Sequence, residues 1–130
     1  MILGVGIDTI EIERFAETHT PAGARLRERL FTAEEQSYCM TKANPAPHFA
    51  ARFAAKEAFA KAIGKGVAKG IHWVDIEVLR NEEGAPFLRL HGQAAVAAEE
   101  REVGTLHVSL SHSRTEAVAV VVLDSEASPL

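Results

Sequence analysis

Three side chains, Asp8, Glu57 and Lys61, are of the types that hold a divalent cation beside a phosphate. Mg²⁺ prefers one or two carboxylates and takes its other ligands from waters and substrate phosphates. Glu57 and Lys61 are four residues apart, so on a helix they lie one turn from each other on the same stripe. Asp8 closes the apolar run MILGVGID, and a carboxylate at a strand end can serve as the second metal ligand. Folding would have to bring it to Glu57, and Lys61 would then point its ammonium at the same phosphates. Each residue also has a plainer reading. Asp8 can cap the helix that DTIE announces. Glu57 and Lys61 can be a solvated ion pair worth a few tenths of a kcal/mol. Spacing alone leaves both readings open.

The segment carrying two of the three is HFAARFAAKEAFAKAIGKG, which has no interior proline or glycine until Gly64. At about 100° per residue, Ala51, Ala55, Ala58 and Ala62 form a smooth strip suited to close approach of another backbone or subunit. Phe49, Phe53, Phe59, Ala60 and Ile63 form a bulky arc, and Arg52 and Lys56 fall within it. Glu57 and Lys61 share the third stripe with Ala50 and Ala54. The charges therefore border apolar surface on both sides, where Lys and Arg stems can lie along it and send their heads to water.

The surrounding elements follow from patterning. MILGVGID reads as a buried strand ending near Asp8, and DTIE opens a helix carrying Ile10, Glu11, Arg14 and Phe15 up to Pro21 and Gly23. TAEE starts a short helix through Cys39. Asn44, Pro45 and Pro47 make a loop before the alanine-rich helix, and GKGVAKG makes a glycine-punctuated loop after it. WVDIEVL is a half-buried strand, NEEGAP a turn, FLRLHG a strand, and QAAVAAEEREVG a helix ended by Gly104. LHVSLSH alternates strictly, with Leu106, Val108 and Leu110 on one face and His107, Ser109 and Ser111 on the other. AVAVVVL is a last strand. The expected fold class is α+β, with a mainly antiparallel sheet packed against helices. Residues 1–124 are expected to form a single domain and residues 125–130 a frayed tail.

Several function classes lose ground on composition. The 130 residues carry a net charge of −4, which argues against a dedicated nucleic-acid binder. No apolar run is long enough to cross a bilayer, and MILGVGIDTIE lacks the basic start of a signal peptide. One cysteine, Cys39, suits a reducing cytoplasm and has no evident activating partner. There is no Walker-type or Rossmann loop. His107 and His112, with Ser109, Ser111, Ser113 and Arg114, gather donors that suit phosphate or base contacts, and Lys65 and Lys69 flank a loop that could hold an anion.

GVGIDTIEIERF, FAARFAAKEAFAKAIGKG, WVDIEV with the later GAPFLRL, and HVSLSHS before an apolar final strand occur in order from residue 2 to about residue 123. Together they resemble the holo-acyl-carrier-protein synthase family, the small bacterial class of 4′-phosphopantetheinyl transferases. The resemblance implies transfer of 4′-phosphopantetheine from coenzyme A to a serine of apo acyl carrier protein, in the service of fatty acid biosynthesis. It implies Mg²⁺ on Asp8 and Glu57, with Glu57, directly or through a metal-bound water, as the base and Lys61 beside the phosphates. It further implies coenzyme A contacts from Arg52, Lys56, Lys61, Gly64, Ser111 and His112, and carrier contacts from Arg14 and Arg25. A homotrimer with active sites at subunit interfaces completes the expectation. The alternatives are a Mg²⁺-dependent phosphohydrolase and a non-catalytic nucleotide-binding module.

Overall fold

The computed structural model describes residues 1–127. Strand β1 runs Ile2–Glu11, further than expected, and a 3₁₀ turn over Ile12–Phe15 replaces the expected helix. The capping pattern at DTIE loses to sheet pairing. Asp8, Thr9, Ile10 and Glu11 pair antiparallel with Ala119, Val118, Ala117 and Glu116, and β-branched Thr9 and Ile10 suit the pleat. Helices α1 (Ala24–Leu30) and α2 (Ala33–Met40) follow. Thr32 and Glu35 close a full capping box on α2, as TAEE predicts.

Helix α3 (Ala46–Ile63) is the centre of the molecule. Pro45 and Pro47 sit at its start rather than in a preceding loop, because first-turn residues need no intrahelical N–H. Phe49, Phe53, Phe59 and Ile63 are buried with Phe15 and Phe31 from the preceding turns. The alanine strip meets this chain's own β1. A Cβ on Gly6 would lie 1.8 Å from the Ala58 carbonyl oxygen, and one on Gly4 would lie 2.1 Å from that of Ala62. Glycine on the strand and alanine on the helix therefore let two backbones touch, and Asp8, two residues beyond Gly6, is carried against α3.

The expected loop GKGVAKG contains a one-turn helix, α4 (Lys65–Ala68). A 3₁₀ turn over Trp73–Asp75 leads into β2 (Ile76–Arg80), which pairs with β3 (Pro86–Leu90). Helix α5 spans Gly92–Glu100. The left-handed residue that ends it is Glu102 (φ 58°), not Gly104. Strands β4 (Thr105–His112) and β5 (Glu116–Asp124) complete a three-stranded antiparallel sheet in the order β1-β5-β4. The α+β class with antiparallel sheets holds. At the start of the segment expected as a tail, the Ser125 amide donates to the Met1 carbonyl and Thr105 Oγ1 donates to the Glu126 carbonyl. Residues 128–130 lie outside the described residues.

The sheet has two unlike faces. Ala117, Ala119, Val121 and Leu123 of β5 are buried under α3. On the other face Val5 and Ile7 are 57% and 59% exposed, in register with Val122 and Val120, and with His107 and Ser109 on β4.

Candidate active site

Asp8 and Lys61 meet across the β1–α3 seam. The Lys61 ammonium donates to Asp8 Oδ1 at 2.8 Å and to the Ile7 carbonyl at 3.0 Å. Glu57 is half-buried beside them. Burial first, and the Asp8 charge second, push its carboxyl above the usual carboxylate range, against the pull of Lys61, Arg14 and Lys65. A cleft of about 290 Å³ opens here, lined by Glu57, Ala60, Lys61, Lys65, Ala68 and Lys69. Gly64 ends α3 at φ 106°, a conformation that favours glycine, and so turns the chain into the lysine-bearing segment. One carboxylate, Glu57, and three ammonium groups line the cleft, and Asp8 reaches its edge through Lys61; such a set suits an anion bridged to carboxylates by a cation.

The donor set fits a hard divalent ion. Asp8 Oδ2 is buried and has no hydrogen-bond partner among the described residues, a costly state unless something else binds it. No group of three or more His, Cys, Asp and Glu side chains converges among the described residues. The pattern is thus two carboxylates with room for water and phosphate, which is the Mg²⁺ preference rather than that of Zn²⁺.

Lys56 does not face this cleft, which corrects the expected coenzyme A contact. Its side chain is fully buried, and its three N–H bonds go to Glu35 Oε1 (2.9 Å), the Trp73 carbonyl (3.0 Å) and the Ile76 carbonyl (2.5 Å). An ammonium with three acceptors has no proton left for a phosphate. Burial pulls the pKa of Lys56 down, and the Glu35 carboxylate opposes it. Arg52 is also nearly sealed, at 1% exposure, with Nη1 on the His48 carbonyl.

A second charged cluster surrounds Arg52, away from Asp8. The Arg52 guanidinium lies 4.4 Å from the Tyr38 ring centroid, with Lys42 at 4.5 Å and Arg80 at 5.7 Å. The His48 ring is 6.1 Å from both Tyr38 and His112. Burial, then Arg52 and Lys42, lower the pKa of His48. Burial works to raise that of Tyr38, but Lys42, Arg80 and Arg52 outweigh it and hold the phenol low. A hollow of about 250 Å³ is lined here by Tyr38, Arg52, Arg80 and Arg89 together with the acid Glu34, so its lining carries a net positive charge. Tyr38, Lys42, His48 and Arg80 had no motif to mark them; only the four-residue spacing of Tyr38 and Lys42 hinted at a shared helix face.

The remaining candidates divide between surfaces. His112 sits in the row of Ala117 and Ile10 on the helix-facing side of the sheet, whereas Ser111 sits in the row of Val118 and Thr9 on the outer side. The two are neighbours in sequence but not in direction. Arg14 and Arg25 are exposed, on the 3₁₀ turn after β1 and on α1. Arg27 instead donates to the carbonyls of Thr18 and Thr20 and braces the turn. Cys39 is buried, and burial foremost raises its thiol pKa to about 11.

The chain is similar to known proteins over nearly its whole length. Residues 4–121 match the family described as the 4′-phosphopantetheinyl transferase superfamily. The holo-[acyl-carrier-protein] synthase of Geobacter metallireducens is 48% identical over 95% of this chain and 98% of its own length. The crystal structure of a holo-(acyl-carrier-protein) synthase from Bacillus anthracis in complex with CoA (3′,5′-ADP) is 36% identical, with a TM-score of 0.77 over 97% of this chain and 99% of that one. The holo-[acyl-carrier-protein] synthase structure from Neisseria meningitidis is 29% identical with a TM-score of 0.84, covering 95% of this chain and 99% of that one.

Proposed function

The chain belongs to the 4′-phosphopantetheinyl transferase superfamily, and from that premise we propose that it transfers 4′-phosphopantetheine from coenzyme A to a serine of apo acyl carrier protein, for fatty acid biosynthesis in the cytoplasm. The observation that carries the proposal is the Asp8–Lys61 pair with half-buried Glu57 at one lysine-lined cleft. The serine oxygen attacks the phosphorus that carries the pantetheine arm. The phosphorus–oxygen bond to adenosine 3′,5′-bisphosphate breaks, and the serine proton passes to Glu57. Such a reaction is governed by positioning and by neutralising the phosphate oxygens.

Asp8 and Glu57 would hold Mg²⁺, which when bound supplies positive charge to the pyrophosphate. Lys61 adds an ammonium whose side chain is 42% exposed toward the cleft, with Lys65 and Lys69 lining the same space. Gly64 lets the chain turn close to the phosphates.

The assembly we propose is a homotrimer with active sites at subunit interfaces. Two observations support it. Val5 and Ile7 expose an apolar sheet face that a second copy would cover. The Asp8 cleft and the Tyr38–Arg52–His112 cluster lie apart in one subunit, so a neighbouring copy would bring its cluster, and Ser111 at the covered face, to the nucleotide end of coenzyme A. Arg52 acts there as a buried charge behind Tyr38 rather than as a direct ligand. The carrier, an acidic protein, docks on exposed Arg14 and Arg25. No helix among the described residues is long and apolar enough to cross a membrane.

The test is to incubate the protein with apo carrier, coenzyme A and Mg²⁺ and to weigh the carrier by mass spectrometry. A phosphopantetheine adduct is the expected result. Consumption of coenzyme A with no adduct and no carrier requirement would replace the proposal with a hydrolase.

A further inference from the structure

Lys56 is the most deeply buried cation of the chain's described residues, and the reaction as written does not use it. It precedes Glu57 directly. Its ammonium joins four segments: α3 itself, Glu35 in the first turn of α2, and the Trp73 and Ile76 carbonyls that bracket the turn into β2. Glu35 is fully buried too, and its carboxylate also accepts from the amides of Thr32 and Val78. Glu77, 5% exposed, extends the network by accepting from Thr32 Oγ1 and pairing with His91 Nε2.

A buried ion pair is a poor way to gain stability, since well-packed apolar side chains often serve as well or better. What it does supply is direction. Counting about 100° per residue from Lys56, Glu57 lies near 100° and Lys61 near 140°, while Ala58 and Ala62 lie near 200° and 240°. The last two carry the β1 backbone, with Gly6 and Gly4 pressed on them. The two functional side chains thus occupy the arc between two clamps, one a backbone contact and the other the Lys56 hub. At about 6 Å from the helix axis, a 10° rotation moves a side-chain atom by about 1 Å, and a misplacement of that size costs about 10²-fold in rate.

We propose that Lys56 is a positioning residue for the transfer reaction: its ammonium, fixed by Glu35, Trp73 and Ile76, sets the rotation of α3 that aims Glu57 and Lys61 at Asp8. The inference rests on the transferase reading above. It differs from a purely structural role in one respect: geometry at the cleft is lost before the fold is.

The test compares Lys56→Met, Lys56→Gln and the double variant Glu35→Gln/Lys56→Met with Phe49→Leu, a core change in the same helix at a fully buried site away from the cleft. Melting temperatures are measured for all, and kcat and KM for coenzyme A at a temperature where each is folded. Lys56→Met is expected to lower kcat by about 10²-fold with KM within about threefold. Phe49→Leu, at a similar melting temperature, stays within about threefold in both. Lys56→Gln, which keeps two N–H donors, falls between. The double variant, freed of the unpaired carboxylate, melts higher than Lys56→Met and keeps the kcat defect. If kcat simply follows melting temperature across the set, or if no Lys56 variant folds, the positioning role is wrong. If wild-type protein modifies no carrier, the transferase reading has failed first, and this inference goes with it.

Discussion

Helix α3 carries two lysine–carboxylate pairs five residues apart, and they have almost nothing in common. Lys56–Glu35 has both side chains fully buried at 2.9 Å, whereas Lys61–Asp8, at 2.8 Å, has 42% and 15% of its side chains exposed. The inner ammonium is saturated by three acceptors. The outer one faces a cleft, and Asp8 Oδ2 has no hydrogen-bond partner among the described residues. Contact distance therefore says little about purpose. A pair closed on all sides fixes geometry, while a pair with a free oxygen and an open side is available to a ligand.

That contrast breaks most visibly at the carboxylates. Asp8→Ala and Glu57→Ala should each lower transfer by on the order of 10³-fold, in line with the loss of a central electrostatic group, while circular dichroism and melting stay near wild type. Near-normal activity at limiting Mg²⁺ in either variant would remove the metal assignment.

Stability should separate the two lysines in the opposite sense. Lys56→Met leaves Glu35 buried without its partner and should cost about 3–5 kcal/mol in a denaturant titration. Lys61→Met breaks a half-exposed pair and should cost less than about 1 kcal/mol. Equal costs would erase the distinction between a closed and an open pair.

On kinetics Lys61→Met, which keeps the bulk of the stem, should reduce kcat by about 10²-fold. A raised KM for coenzyme A at unchanged kcat would instead assign Lys61 to uniform binding.

The smallest effect belongs to the rim. Arg14→Glu should raise the KM for the carrier at low salt and leave that for coenzyme A nearly unchanged, because rim charges act mainly on association. Added salt should weaken the wild type's carrier affinity more than the variant's, since screening sets in over about 8 Å at physiological ionic strength. Wild-type carrier kinetics for the variant at low salt would move the docking surface elsewhere.

Much of this was legible along the chain. The α2 capping box, the alternation of β4 and the long alanine-rich helix are local signals, and local signals survive folding when nothing competes with them. At DTIE something did compete: pairing with β5 extended the strand through Glu11, so Asp8 lies within a ladder and caps no helix. The motif residues Asp8, Glu57 and Lys61 could be singled out because paired carboxylates with a nearby ammonium suit one kind of chemistry. Their meeting depended on Gly4 and Gly6, whose missing side chains let β1 lie directly on α3.

By itself, then, the sequence determined which residue types could bind a cation and a phosphate, and that a helix would carry two of them. Tertiary structure alone decided which of the helix's four charges meet solvent. Arg52, Lys56, Glu57 and Lys61 look alike along the chain, because helical periodicity assigns faces without saying what covers each face. The backbone of β1 covers one side, and α2 with the turn into β2 covers another. Lys56 falls under the second cover, and Lys61 falls in the gap between the two.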